Sequence, residues 1–379
     1  MRYVAFSKNY VYNYSFLAEY YKDYDSFVEH RSLTIGLLTM LSVCIMIGPL
    51  GNIAIIGAIY TNKVLWKPLN LFIINLSLAD LVIVTFISAT SITGLMIGHQ
   101  VFLQNHSLCN FVANVCLTAC VAQLLTHAVI AITRYISIRY PTTFINNATW
   151  KSTSIACALI WIIAFMLQFP PDVGWGRNVL DLKAMICIWD RTYSIGYTLY
   201  FAIVYVFIPM SSIFFCYVML YLHIRKIRRN IDSQSKNDLF KIYTSMSRKR
   251  WKQEIKLAKT LCAHFAIVFI LWGQYAFIVI FDYRNRLPTV VHAISIQVAH
   301  SIAVVNVFVY IFNRSFQDGM IAFLTRKSMR LILSGTGTTE VAATSITKSE
   351  TKTKFFNNTV KPIKKSTSNG HSKDSNLQL

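Results

Sequence analysis

Charge is what this sequence has least of. Only 14 % of its 379 residues are Asp, Glu, Lys or Arg, against about 25 % in soluble domains. Acidic side chains are the scarcer kind, 16 against 37 basic ones. A chain so poor in charge cannot clothe several soluble domains, although its length alone suggests two or three. Charge is also absent over long runs: Phe111 to Ile132 contains no Asp, Glu, Lys or Arg. The first thirty residues lack a continuous apolar core of a signal peptide, so the first spanning helix is expected to serve as the insertion signal. No phosphate-binding glycine loop and no HExxH appears, so neither enzyme activity nor a cofactor is implied.

What is there is apolar. Hydrophobic residues make up 54 % and mean hydropathy is +0.45, so lipid is the solvent for most of the chain. About 20 apolar residues in a helix cross a 30 Å hydrocarbon layer. Seven stretches meet that length, near residues 33–60, 70–97, 108–133, 152–170, 194–222, 258–281 and 289–312. An all-α membrane protein, a bundle of seven transmembrane helices, is expected over residues 33–327. It follows an amino-terminal tail at 1–32 and precedes a cytoplasmic tail at 328–379 that is rich in Ser, Thr, Lys and Asn and expected to be disordered. Residues 316–327 read as a short amphipathic eighth helix on the inner membrane surface, with Phe316, Ile321, Phe323 and Leu324 toward lipid.

The net charge of +21 does not point to nucleic acid, because the basic residues sit between and after apolar runs and form no basic face. Lys63 and Lys67 follow span one, Arg134, Arg139 and Lys151 follow span three, and Arg225 to Lys256 crowd the connection after span five. Basic loops stay in the cytoplasm. The amino terminus is therefore expected outside and the carboxyl terminus inside, in a multi-pass plasma-membrane protein. The sequons at Asn13 and Asn105 then face outward and are expected to carry glycans, whereas those at Asn147 and Asn357 face inward.

With that topology only Cys109 and Cys187, of eight cysteines, lie at the oxidising face. A disulfide between them is expected, two free thiols being the alternative. The other six fall within spans, where thiols ordinarily pack as small apolar groups. Asp80, deep in span two, costs about 3 kcal/mol to insert and calls for polar companions; Asn52 and Asn306 are the candidates. Arg134, in "ITRYISIRYP", ends the uncharged run. An anchor at the interface accounts for its position. A clamp with Glu254 ahead of span six accounts for its role as well, and a clamp that opens is a switch.

These residues together resemble the rhodopsin-like (class A) G protein-coupled receptors over roughly 33–327. The resemblance rests on Gly51-Asn52, "NLSLAD" ending at Asp80, Cys109, Thr133-Arg134-Tyr135, Trp161 and Cys187. It continues through Pro209 with Tyr217, Trp272, and "NVFVY" from Asn306 to Tyr310. It implies that Arg134 and Tyr135 meet a heterotrimeric G protein when spans five and six part, that Tyr217 and Tyr310 support that state, and that Trp272 is an aromatic toggle. It marks Asp80 as the carboxylate of a sodium site. It also implies arrestin and receptor kinases as partners, for which the Ser/Thr clusters at 334–353 and 366–375 offer sites.

Departures from the family are Thr133 for an acid, Gln274 and Val307 for prolines, and Gln123 and Ala303 for serines of the sodium site. His127 stands where a leucine is usual; a hydrogen-bonded core histidine is the plainer reading and a pH-sensitive latch the sharper one. Span seven has no lysine, His300 taking that position, so the opsin-like layout comes without a retinal Schiff base. Span three offers Cys116 where amine receptors have an aspartate. Tyr205 and the "CYVMLY" run also resemble the melatonin-receptor and orphan-receptor branch. The outer half of the bundle is expected to form a ligand pocket from Ala113, Cys116, Leu117, Cys120, Tyr205, Trp272, Tyr275 and His300, for a small molecule or peptide. The competing functions are a binding or scavenging receptor of the same fold that does not signal through G proteins, and a transporter, whose repeat symmetry is not seen.

Overall fold

A computed structural model describes residues 31–97, 100–140, 144, 147–181, 183–184, 186–234, 262–282 and 286–335. Seven helices among them are long and apolar enough to cross a membrane: Arg31–Thr61, Pro68–Met96, His106–Arg139, Trp150–Val173, Ile195–Lys226, Cys262–Phe281 and Thr289–Ile311. They match the seven expected spans, with ends shifted by a few residues. Compact units comprise Met1–Leu324, which holds the bundle, and Thr325–Leu379.

Burial sets the arrangement. The apolar window of span three is 72 % buried, against 22 % for spans one and four, so span three is the central post and those two lie at the rim. The rim carries exposed Ile35, Met46, Leu50, Ile163, Met166, Phe214, Phe215 and Phe277. In water such a belt would be a liability; in lipid it is the solvated surface.

Two spans are locally wound more loosely. In span five, Phe201–Phe207 forms a π-helical segment just before Pro209. Proline supplies no N–H to the carbonyl four residues back and its ring crowds that carbonyl, and a widened turn relieves both. Span two widens at Ile83–Ile87 without a proline; there the Ser88 hydroxyl donates to the Ile83 carbonyl at 3.3 Å. In span seven the helix Thr289–His300 is followed by Ile302–Ile311, with a turn at Ser301 between them.

Between spans four and five the chain forms an antiparallel hairpin, β1 (Asn178–Asp181) and β2 (Ile186–Trp189), in which Leu180 faces Cys187. The Cys109–Cys187 disulfide fastens β2 to the start of span three.

A helix runs from Arg314 to Gly335, longer than the expected 316–327. Of the four residues expected to face lipid, two turn inward. Phe316 is buried with its ring 5.0 Å from that of Tyr310, and the Phe323 ring lies over Gly57, where a Cβ would collide with it. Ile321 and Leu324 remain exposed.

Candidate functional site

Span three carries the site along its length. At 1.5 Å per residue, Cys116 and Arg134 stand about 27 Å apart on it, with Gln123, Thr126 and His127 between.

At the disulfide end seven of the eight residues expected to line the ligand pocket come together around one cavity. Cys116, Leu117 and Cys120 come from span three, Tyr205 from span five, Trp272 and Tyr275 from span six and His300 from span seven. Ala113 does not join them; it packs one turn higher with Cys109, Cys187 and Leu180. Ile188 and Phe201 line the cavity as well. Ile188 was invisible to sequence reasoning because only the disulfide and hairpin register bring a loop residue over the bundle. The cavity measures about 20 Å3, counting the space in which the centre of a water molecule can move, room for about one water. A larger ligand must therefore displace aromatic side chains. Tyr205 is held by its hydroxyl, which donates to the Leu167 carbonyl. Trp272 is buried with no partner for its indole N–H among the described residues, and its ring is 6.3 Å from that of Tyr275.

Below the cavity lies a buried polar core. Asp80 is fully buried and its two carboxylate oxygens accept from Gln123 Nε2 at 2.5 Å and Asn306 Nδ2 at 2.7 Å. Asn306 pairs through Oδ1 with His264 Nε2 at 2.6 Å. Asn52 is not the companion of Asp80 that the sequence suggested: its amide donates to the Gly48 and Ala303 carbonyls at 3.0 and 3.2 Å, tying span one to the backbone of span seven. Gln123, which stands where the family offers a serine, is a hydrogen-bond donor to the carboxylate, its long amide reaching Asp80 from span three.

His127 is buried, as a core histidine is expected to be. Among the described residues its Nε2 has no partner, and its ring meets His264 edge to face at 5.1 Å. Sequence reasoning passed over His264 because a lone histidine in a span carries no pattern. It likewise passed over a second link: Trp161 Nε1 donates to Asn75 Oδ1 and Asn75 Nδ2 to Thr126 Oγ1, both at 2.8 Å, joining spans two, three and four.

At the opposite end Arg134 and Tyr135 are half-buried. Among the described residues Arg134 makes no ion pair; the expected partner Glu254 lies outside them, as does Asn13. Tyr217 stacks on Phe265 at 5.9 Å. Of the family departures, Gln274 replaces a helix-bending proline by a donor: its amide bonds Leu271 O at 3.0 Å and Ser295 O at 2.7 Å, linking spans six and seven. Val307 lies against Gly51 of span one, which has room for no side chain there.

The hairpin is held by charge. Arg177 pairs with Asp190 at 2.7 Å and Arg191 with Asp181 at 3.2 Å. Arg191 Nη2 also lies 3.5 Å from His292 Nε2, which in turn lies 2.8 Å from Asp282. The loop is thereby joined to the ends of spans six and seven. Burial pushes the Asp282 carboxyl up, but the N–H groups of Arg286 and Leu287 and the His292 ring together hold it below the usual carboxylate range.

Comparison with known proteins agrees with this geometry. Residues 51–310 match the model of the 7 transmembrane receptor (rhodopsin family). Melanopsin of Podarcis siculus is 28 % identical over 286 residues, covering 72 % of this chain and 59 % of that protein. Melanopsin-B of Xenopus laevis is 29 % identical over 237 residues, covering 61 % and 43 %. The chain thus spans about half the length of these relatives. The crystal structure of squid rhodopsin superposes with a TM-score of 0.65 at 19 % identity, covering 87 % of this chain and 93 % of that one. With seven spans, the tethering disulfide and a family match over most of its length, the chain belongs to the rhodopsin family of seven-transmembrane receptors.

Proposed function

We propose that this receptor binds an extracellular ligand in the cavity at the disulfide end and activates a heterotrimeric G protein at the Arg134 end. In this reading the disulfide end faces outward and the basic ends of spans three and five face the cytoplasm, in the plasma membrane. The observation that carries it is continuity. Span three lines the cavity through Cys116 and Cys120, holds Asp80 through Gln123, and carries Arg134 in its last two turns. Displacing Trp272 or Tyr205 from the small cavity would shift the packing of spans five and six against that post, and the Arg134 end would open. Glu254 is the acid that Arg134 would release, and the Ser/Thr clusters of the tail would serve receptor kinases and arrestin. The ligand is neither retinal bound as a Schiff base, since Thr289–Ile311 contains no lysine, nor a protonated amine, since Cys116 offers no counter-ion.

The test is basal G protein activation in cells across the G-alpha classes, wild type against Arg134→Ala at matched surface expression. Signal in one class, lost in the variant, supports the reading. Signal unchanged by the substitution overturns the role of Arg134. Ligand uptake without activation in any class favours the scavenging receptor, to which Thr133, Gln274 and Val307 lend support as departures from the signalling motifs.

A further inference from the structure

Cys116 and Cys120 stand one helical turn apart on span three, and His300 faces them from span seven. Their ligating atoms all lie within 4.8 Å of one another, and Cys116 Sγ is 3.8 Å from His300 Nε2. All three side chains are buried. Around a tetrahedral zinc ion, with bonds of about 2.3 Å to sulfur and 2.0 Å to nitrogen, sulfur and nitrogen stand about 3.5 Å apart. The cluster is within a small side-chain movement of that geometry.

Two further observations point the same way. The cluster lines the cavity, which has room for about one water. The other ring nitrogen of His300, Nδ1, is buried with no partner among the described residues, so packing alone leaves this imidazole poorly satisfied. Small apolar packing explains one buried thiol, as at Cys216. It does not explain two thiols and an imidazole converging on one void.

We propose that Cys116, Cys120 and His300 bind a single Zn2+ ion at the floor of the ligand cavity, with the fourth position open to the void. Each thiol releases its proton to bulk solvent as its sulfur bonds the metal. Two thiolates then cancel the charge of the ion, so the bound site is neutral, which an apolar interior tolerates. Soft sulfur ligands select zinc over sodium, magnesium or calcium. The open position is the arrangement in which zinc accepts a water or an incoming donor. The site deepens the reading of the cavity as the ligand pocket, and rests on it only in this respect: a ligand bearing a thiolate, imidazole or carboxylate would complete the tetrahedron.

The experiment uses the full-length receptor in neutral-lipid nanodiscs, stripped with chelator and titrated with Zn2+ alone. One zinc per receptor is expected for wild type and for Cys216→Ser. Cys116→Ser, Cys120→Ser and His300→Ala should each weaken binding at least tenfold, and His300→Cys should retain it. Co2+ in wild type should give a thiolate-to-cobalt charge-transfer band and tetrahedral visible bands; this spectrum decides the matter if the variants fail to fold. Zinc held no more tightly by wild type than by the Cys116→Ser/Cys120→Ser double variant overturns the site, as does cobalt without the charge-transfer band. Because metal content is measured without signalling, zinc bound by a receptor that activates no G protein supports the site while the coupling reading fails.

Discussion

Gln123 donates its side-chain amide to Asp80 at 2.5 Å, so one oxygen of the most deeply buried carboxylate is satisfied by span three and the other by span seven through Asn306. Removing the amide leaves a buried acceptor unpaired. Gln123→Leu is expected to destabilise the receptor by about 1–3 kcal/mol, read as a lower Tm in nanodiscs. Because both oxygens already accept amide hydrogens, exchanging sodium for choline should leave the wild-type Tm unchanged. A clear rise of Tm in sodium would restore the sodium-site role that the family resemblance implies.

The hairpin network predicts an acid limit. Asp282 faces His292, and His292 faces Arg191, which pairs with Asp181. The carboxyl of Asp282 is held below its usual range, so its stabilising effect is complete above the unfolded value of about 4. That effect is lost as pH falls through the lower folded value. Tm should therefore drop below about pH 4, and Asp282→Asn should flatten that drop. At neutral pH Arg191→Met strands Asp181 and should cost about 3 kcal/mol; a Tm equal to wild type would refute the buried pair.

Asn105 caps the helix of span three, its Oδ1 accepting the Leu108 N–H at 3.0 Å, while its amide nitrogen is left for a glycan. Asn105→Gln is expected to speed migration on a gel by one glycan, as glycosidase treatment of wild type does. No mobility change in either case would remove the support that glycosylation gives to an outward-facing disulfide end.

Gly57 has no space for a side chain because the Phe323 ring covers it. Gly57→Leu should lower stability by about 1–3 kcal/mol, and Phe323→Ala in the same chain should recover part of that loss. Additive losses in the double variant would mean that the two residues do not meet.

The spans were legible because lipid demands one thing of every helix in it, an unbroken apolar run, and that demand is local. Cys109 and Cys187 were legible by topology, and the pocket residues by their likeness to a family. The pairings were harder to read. Trp161, Asn75 and Thr126 are each unremarkable in sequence, and their link depends on how three helices are rotated about their axes. The same holds for His127 and His264, and for Gln123, whose reach matters more than its departure from serine. Phe316 and Phe323 were placed on the wrong face because an amphipathic pattern does not say whether the apolar side meets lipid or protein.

The Trp161–Asn75–Thr126 link has a mechanical consequence. Two side-chain hydrogen bonds, each of about 0.6 kcal/mol in a membrane protein, pin spans two, three and four together. The disulfide further braces span three against the hairpin. No comparable polar rivet joins span five to span six among the described residues. The molecule is built like a hinged door on a fixed post: the riveted trio is the post, span five is tied to it through Tyr205 and span six to span seven through Gln274, and the seam left free to part is the one between the helices that carry Tyr217 and Trp272.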